Sequence, residues 1–194
     1  MEDEKATLHR YLRTSREALL SKLDGVGEYD ARRPMTRTGT NLLGLVKHVA
    51  SIQLGYLGAV FDRPSERDDL PWFRDDAEPD ADLWVPADET RASVLDLHHF
   101  SAAHSDATIE ALDLDAVGEV PWWSPEKRAV TLHRILVHVG AETARHAGHA
   151  DILRELVDGA AGFGPGDTNL TGRTEEEWAA HRARIEAAAR QAAG

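Results

Sequence analysis

Cysteine is absent from the 194 residues of this chain. Its absence excludes disulfides, cysteine-bound metal sites and a thiol nucleophile of the protein's own. Any thiol chemistry must therefore take its sulfur from another molecule. Basic residues are also few, because 22 Lys and Arg stand against 34 Asp and Glu, for a formal net charge of −12. So acidic a surface repels phosphate backbones, and the short basic run Arg32-Arg33 does not offset it, so no nucleic-acid partner is expected.

Long apolar runs are lacking as well. We find no run that approaches the roughly 20 residues of a membrane span. Residues 1–5 lack the basic-then-apolar layout of a signal peptide. These observations predict a cytoplasmic protein without a membrane partner. The length and the hydrophobic fraction of 42% are ordinary for a globular protein, and we expect a single domain over residues 1–194.

Sequence patterns with the period of a β-strand are missing, whereas apolar residues recur at helical spacing in several segments. The predicted fold class is all-α, a four-helix bundle with long crossovers and an additional C-terminal helix. The connection over 61–88 is rich in Pro, Asp and aromatic residues and is predicted to pack over the bundle as an ordered crossover. The predicted helices cover approximately residues 5–24, 40–61, 88–112, 125–157 and 174–191.

Polar residues with capping chemistry mark the expected helix starts. Thr38 or Thr40 is predicted to cap the second helix. Ser124, followed by a proline at the first helical position, is predicted to begin the fourth helix. Thr174 and Glu177 have the spacing of a capping box for the last helix.

An acid and an imidazole lie four residues apart on the predicted fourth helix. Glu142 and His146 therefore project from one face of that helix. His48 lies in the apolar stripe of the second helix. Two imidazoles and one carboxylate from two helices form a donor set for a divalent transition metal, with positions left open for chemistry.

Further polar residues accompany this pair on the fourth helix. His138 and His149 share its face, and the four side chains fall within an arc of about 80°. Apolar residues flank the face, so it points toward the core, where ionisable groups are costly unless they are paired or bound to metal. We predict that His138, His149 and Arg145 support the ligands or line a substrate pocket.

A structural interpretation of the same residues stays open. Pairs of Glu and His four apart also occur as plain helix pairs, and His48 is compatible with a hydrogen-bonded core histidine. His98, His99 and His104 form a second cluster whose spacing gives no chelating pair. We predict that these three lie mostly on the surface.

Two motifs resemble those of the DinB-like superfamily. Its second-helix motif resembles Leu42-Leu-Gly-Leu-Val-Lys-His48. Its fourth-helix motif, His-Arg-Gly-Gln followed by an apolar stretch and Arg, resembles His146-Ala-Gly-His149-Ala-Asp-Ile-Leu-Arg154. The order of the helices, the long crossover and the Phe-Asp-Arg-Pro after the second helix extend the resemblance over nearly the whole chain. The superfamily includes metal-dependent hydrolases, thiol-dependent S-transferases and the mycothiol-dependent maleylpyruvate isomerase.

The resemblance implies a ligand set. The usual set is one histidine on the second helix and a His-x-x-x-His pair on the fourth. His48 and His146 match the first and last positions, whereas Glu142 stands at the middle one, as in the isomerase branch. His149 stands where Gln is common. A divalent metal is implied, zinc first, with nickel, iron and manganese as alternatives, together with mycothiol or a similar low-molecular-weight thiol.

Two classes of function follow. The first is an enzyme that activates a thiol or water at the metal for S-transfer, isomerisation or hydrolysis of a small electrophilic substrate. The second is a non-catalytic helical bundle that binds a metal or ligand, or forms a homodimer. In that case the aromatic residues of the loops would be interface anchors. These residues are Trp72, Phe73, Trp122 and Trp123.

Overall fold

The computed structural model describes residues 3–67, 69–74, 76–163, 167 and 171–194. Within these ranges the chain forms two short strands, β1 (Val117–Glu119) and β2 (Ala129–Thr131), and six α-helices. The helices are α1 (Glu4–Ser21), α2 (Glu28–Arg32), α3 (Leu42–Leu57), α4 (Arg91–Ala111), α5 (Leu132–Asp158) and α6 (Glu175–Ala192). The predicted all-α class is confirmed.

The chain divides into two compact units, Met1–Gly164 and Pro165–Gly194. The first contains a four-helix bundle in which α3 packs on α4 and α5, and α1 packs on α5. The second contains α6, whose first turn has the predicted capping box between Thr174 and Glu177. A single domain over 1–194 stays a prediction.

The buried hydrophobic residues of the bundle core are mostly aliphatic. Burying each such side chain contributes about 1.5–3 kcal/mol relative to leaving it exposed. Helix α3 is the central rod, with twelve of its sixteen residues buried. The core side chains that are at most 2% exposed include Leu12, Leu19, Leu43, Val49, Ile109 and Leu136.

One segment, Leu42–Phe61, is long and apolar enough to cross a membrane by length and composition. This corrects the expectation that no run approaches that length. The segment is 72% buried inside the structure. A helix that is apolar nearly all round is typical of the centre of a bundle, where neighbours cover every face.

The crossover between α3 and α4 is ordered over its described residues, as predicted. It passes directly over α3, where a Cβ on Gly44 would lie 1.9 Å from the carbonyl oxygen of Leu83. Lys47 Nζ bonds the carbonyl of Trp84 at 3.1 Å and the Glu89 carboxylate at 2.9 Å. These contacts fix the crossover against the helix that carries His48.

The start of α3 differs from the prediction. Asn41 caps it, because its side-chain oxygen accepts from Gly44 N at 2.8 Å. Neither Thr38 nor Thr40 caps the helix, and their hydroxyl oxygens lie 3.4 Å apart. The short helix α2 also lies within a stretch that was expected to be a loop.

The start of α5 was also predicted wrongly. Ser124 precedes only a 3-10 turn, Pro125–Lys127. The chain then pairs β2 with β1 in an antiparallel hairpin, and α5 begins at Leu132 with Thr131 as its cap. Strands of three residues are too short for alternation to be visible in the sequence.

Among the second cluster of histidines, His98 was placed wrongly. It lies on α4 with 3% of its surface exposed, and among the described residues neither ring nitrogen has a hydrogen-bond partner. Burial, with smaller contributions from Arg16 and His99, lowers the pKa of His98 to about 4. His99 is exposed, and His104 Nε2 lies 2.8 Å from the Arg63 carbonyl oxygen.

Replacing Asn41 by Ala is expected to lower the free energy of unfolding by about 1–2 kcal/mol, because an N-cap is lost. The same side chain also bonds the Leu83 carbonyl at 3.2 Å. Urea denaturation followed by circular dichroism measures the change. Thr38→Ala is the control and should change stability by less than about 0.5 kcal/mol. Equal effects of the two substitutions would contradict the assignment of the cap.

Acidification is expected to destabilise the protein through His98. The pKa of His98 is about 4 in the folded state, below the ordinary 6.5, so the unfolded chain binds the proton first as the pH falls. The contribution of the neutral His98 ring to the free energy of unfolding is fully present above pH 6.5 and is lost on acidification toward pH 4. At pH 4.5 the loss is roughly 2–3 kcal/mol. His98→Leu should remove this part of the pH dependence of urea unfolding, whereas His99→Leu should keep it.

Candidate metal centre

Three side chains from two helices meet where the sequence predicted. His48 comes from α3, and Glu142 and His146 come from α5. Glu142 Oε1 lies 3.1 Å from His146 Nε2 and 3.9 Å from His48 Nε2. One ligand atom from each residue lies within 4.8 Å of the others. Atoms that surround one zinc ion tetrahedrally at about 2.1 Å are about 3.4 Å apart, so one ion fits these distances with small side-chain shifts.

The antiparallel packing of α3 and α5 positions these residues. The rings of His48 and His146 have centroids 4.7 Å apart. Two turns further along α3, the ring of Tyr56 lies 4.9 Å from that of His138. As the residue number rises along α3, the contacted residue of α5 has a lower number, as antiparallel helices require. Glu142 is one turn from His146 and reaches the same point.

Asp82, on the crossover, lies behind His48. Its Oδ2 is 2.5 Å from His48 Nδ1. An ionised carboxylate only accepts, so Nδ1 carries a proton, and in the neutral form of the ring Nε2 is then the nitrogen with the lone pair that a metal would take. Burial raises the pKa of Asp82, but the hydrogen bond and charge of His48 outweigh it and hold that pKa below its ordinary value. Histidines that bind metals commonly have such a partner.

The electrostatics favour the protonation states that a metal requires. Burial, followed by the charge of His48, lowers the pKa of His146. Burial raises the pKa of Glu142, but the hydrogen bond and charge of His146 and the charge of His48 hold it below its ordinary value. A neutral imidazole and an ionised carboxylate are the ligand forms, so the donor set fits a divalent metal.

The remaining predicted site residues lie at different distances from this point. His149 is exposed, with its Nδ1 3.4 Å from His146 Nδ1. His138 is half-buried and its ring packs 5.1 Å from that of Trp123. Arg145 is exposed and acts on Glu142 through its charge. Their roles stay predictions.

A pocket of about 310 Å³ opens beside His146 and His149. Threonine hydroxyls, a carboxylate and the indole of Trp84, which is 42% exposed, surround it. Polar groups beside an exposed ring suit a hydroxyl-rich ligand. The other lining residues are Thr38, Gly39, Thr40, Leu45, Asp80 and Leu83.

Sequence reasoning missed Asp82. It lies 34 residues from His48 on an irregular segment, where no periodicity assigns it a direction. The available signal was the density of acidic residues in the crossover, and that signal does not single out one of them. Its role is visible only after the Gly44–Leu83 contact has set the path of the chain.

Comparison with known proteins places the site in a family context. A family model described as mycothiol-S-transferase matches residues 7–159. The matched range contains the three converging residues and Asp82. That family belongs to the DinB-like superfamily, so the resemblance found in the sequence is confirmed. No curated protein matches the chain.

The proton on His48 is expected at Nδ1 in the metal-free protein at neutral pH, because Asp82 accepts it. Nitrogen-15 NMR of the histidine rings measures this. Asp82→Ala should shift the ring toward the Nε2–H form, since Glu142 then offers the nearest acceptor. Asp76→Ala, which removes an exposed acid of the same crossover, is the control. A protonated Nε2 in the wild-type protein would contradict the assignment.

Proposed function

The chain belongs to the mycothiol-S-transferase family, and we propose that it is a metal-dependent enzyme that transfers a low-molecular-weight thiol. Mycothiol is the first candidate thiol, and a small electrophile is the acceptor. The observation that supports the proposal is the convergence of His48 Nε2, Glu142 Oε1 and His146 Nε2. Zinc is the expected metal, with nickel, iron and manganese as alternatives.

The donor set suits a catalytic rather than a closed site. Two imidazole nitrogens and one carboxylate oxygen leave at least one position of a zinc ion open. The side chain of Glu142 is 33% exposed, so this side of the centre is open to a small molecule. Asp82 holds His48 in the required tautomer.

The chain itself supplies no thiol, because it contains no cysteine. A divalent metal bound here would lower the pKa of a coordinated thiol, so that thiolate forms near neutral pH. His48, Glu142 and His146 would hold the metal, and Glu142 and His146 would limit where the thiol sulfur can bind it. In the transfer, the thiol proton goes to solvent and sulfur forms a bond to the electrophilic carbon. The leaving group departs with its electron pair.

The pocket beside His146 is the proposed binding site for the polar portion of the thiol. The hydroxyls of Thr38 and Thr40 and the carboxylate of Asp80 offer hydrogen bonds to a hydroxyl-rich molecule. The exposed ring of Trp84 offers an apolar face. A small-molecule substrate, a cytoplasmic location and a homodimer belong to the same proposal.

The wild-type protein, purified without chelator, is expected to bind one divalent metal per chain. Emission spectroscopy after zinc titration measures the stoichiometry. Glu142→Ala should weaken zinc binding by about a hundredfold or more. Losing a residue that only hydrogen-bonds to a metal ligand already lowers metal affinity about 10–100-fold, and Glu142 is proposed as a ligand itself. Mycothiol consumption with iodoacetamide should fall in parallel. Glu155→Ala, an exposed acid on the same helix, is the control.

Two results would count against this function. One is less than about 0.1 equivalent of metal with no uptake on titration, which would favour the non-catalytic bundle. The other is full zinc affinity in Glu142→Ala, which would remove that residue from the ligand set.

A further inference from the structure

A column of three residues extends along α3 from the metal centre. His48, Ile52 and Tyr56 are four residues apart and share one face, at about 6 Å per step. Tyr56 contacts His138 of α5, and His48 contacts His146 of α5. Both residues therefore lie at the interface between α3 and α5. The tyrosine is therefore about 12 Å along α3 from the metal ligand.

A largely apolar cavity of about 490 Å³ follows this column. Aromatic side chains form part of its wall, and two of them stay uncovered, with Phe73 52% and Trp122 55% exposed. Gly55 lets the Trp122 indole approach α3, because a Cβ there would already be 3.4 Å from it. The other lining residues are Ser51, Ile52, Leu54, Tyr56, Ala59 and Leu70.

The Tyr56 hydroxyl is the polar group that this cavity offers to a ligand. Its oxygen accepts from the indole nitrogens of Trp122 at 3.2 Å and Trp123 at 3.1 Å. Indole N–H groups only donate, so the phenolic proton must point elsewhere. No acceptor for it is found among the described residues. Ser51 is already engaged, since its hydroxyl donates to the Lys47 carbonyl and accepts from Trp72.

The cavity and the polar pocket share no lining residue. Helix α3 contributes Leu45 to the polar pocket, and it contributes residues 51, 52 and 54–56 to the cavity. His48 lies between these positions along the helix. Ile52 of the cavity wall is one helical turn from His48, and His146 lines the polar pocket, so the two spaces lie on different sides of the candidate centre along α3.

We propose that the cavity binds the electrophile of the thiol transfer, and that this electrophile is an apolar, ring-containing molecule. This molecule carries an oxygen atom, remote from the reacting carbon, that accepts a hydrogen bond from the Tyr56 hydroxyl. This assignment rests on the proposed function, and it gives the electrophile a site separate from that of the thiol. A molecule with two fused rings fits the volume of about 490 Å³, and Ile52, one helical turn from His48, marks the end of the cavity nearer the candidate centre.

Equilibrium dialysis of two matched ligands tests the assignment. 2-Acetylnaphthalene has a carbonyl acceptor, and 2-ethylnaphthalene has the same shape without it. The wild-type protein should bind the ketone about fivefold more tightly, the effect of one net hydrogen bond. Tyr56→Phe should abolish this preference and leave binding of 2-ethylnaphthalene unchanged. Equal binding of both ligands by the wild-type protein would overturn the role of Tyr56.

A filling substitution tests the cavity without the tyrosine. Ile52→Phe should weaken binding of both ligands at least tenfold. Ile152→Phe is the matched control, because Ile152 is 60% exposed on α5 and does not line the cavity. Unchanged binding in folded Ile52→Phe, checked by circular dichroism, would overturn the assignment of the cavity.

A third arm separates this inference from the proposed function. His146→Ala should lose thiol transfer but still bind 2-acetylnaphthalene, because His146 does not line the cavity. Transfer of mycothiol to iodoacetamide by a wild-type protein that binds neither naphthalene would overturn the inference alone. Binding of 2-acetylnaphthalene without thiol transfer under any metal would overturn the proposed function and the identity of the ligand as its electrophile.

Discussion

The contact between α3 and the crossover determines the rest of the site. Gly44 lets the backbone at Leu83 touch the helix, and the next turn adds the ion pair of the buried Lys47 with the half-buried Glu89. Lys47 is 2% exposed and also lies over the Trp72 ring, 3.9 Å from its centroid. A buried charge without partners is strongly unfavourable, so this pair resists any shift of the crossover along the helix. Asp82 reaches His48 because that register is held.

The alignment of α3 with α5 is the second constraint. His48 meets His146 at one end of the shared interface, and Tyr56 meets His138 two turns away. Both contacts belong to the same pair of helices, so the distance between His48 and Tyr56 is set by helix geometry rather than by loops. Sites carried on helices hold their geometry more closely than sites carried on loops.

Much of this arrangement could be predicted from the sequence, and there are physical reasons why the rest could not. The helical spacing of apolar residues predicted the bundle. It also placed Glu142 and His146 on one face, because the spacing of two residues in a helix determines the directions of their side chains. It could not locate Asp82, which lies on a segment without a period. It misplaced the start of α5, since strands of three residues leave no alternation to detect. His98 was assigned to the surface because its spacing from the neighbouring histidines gives no chelating pair, whereas its position on α4 faces the core.

The ion pair of Lys47 with Glu89 has a consequence for the proposed transfer of a thiol to an electrophile. An amine attacks electrophilic carbon only through its lone pair, and an ammonium group held by Glu89 has none to offer. With no cysteine in the chain, the protein also presents no thiol of its own. An electrophile that reached the proposed site would therefore meet a bound thiolate there, rather than a free amine of Lys47 or a cysteine of the protein.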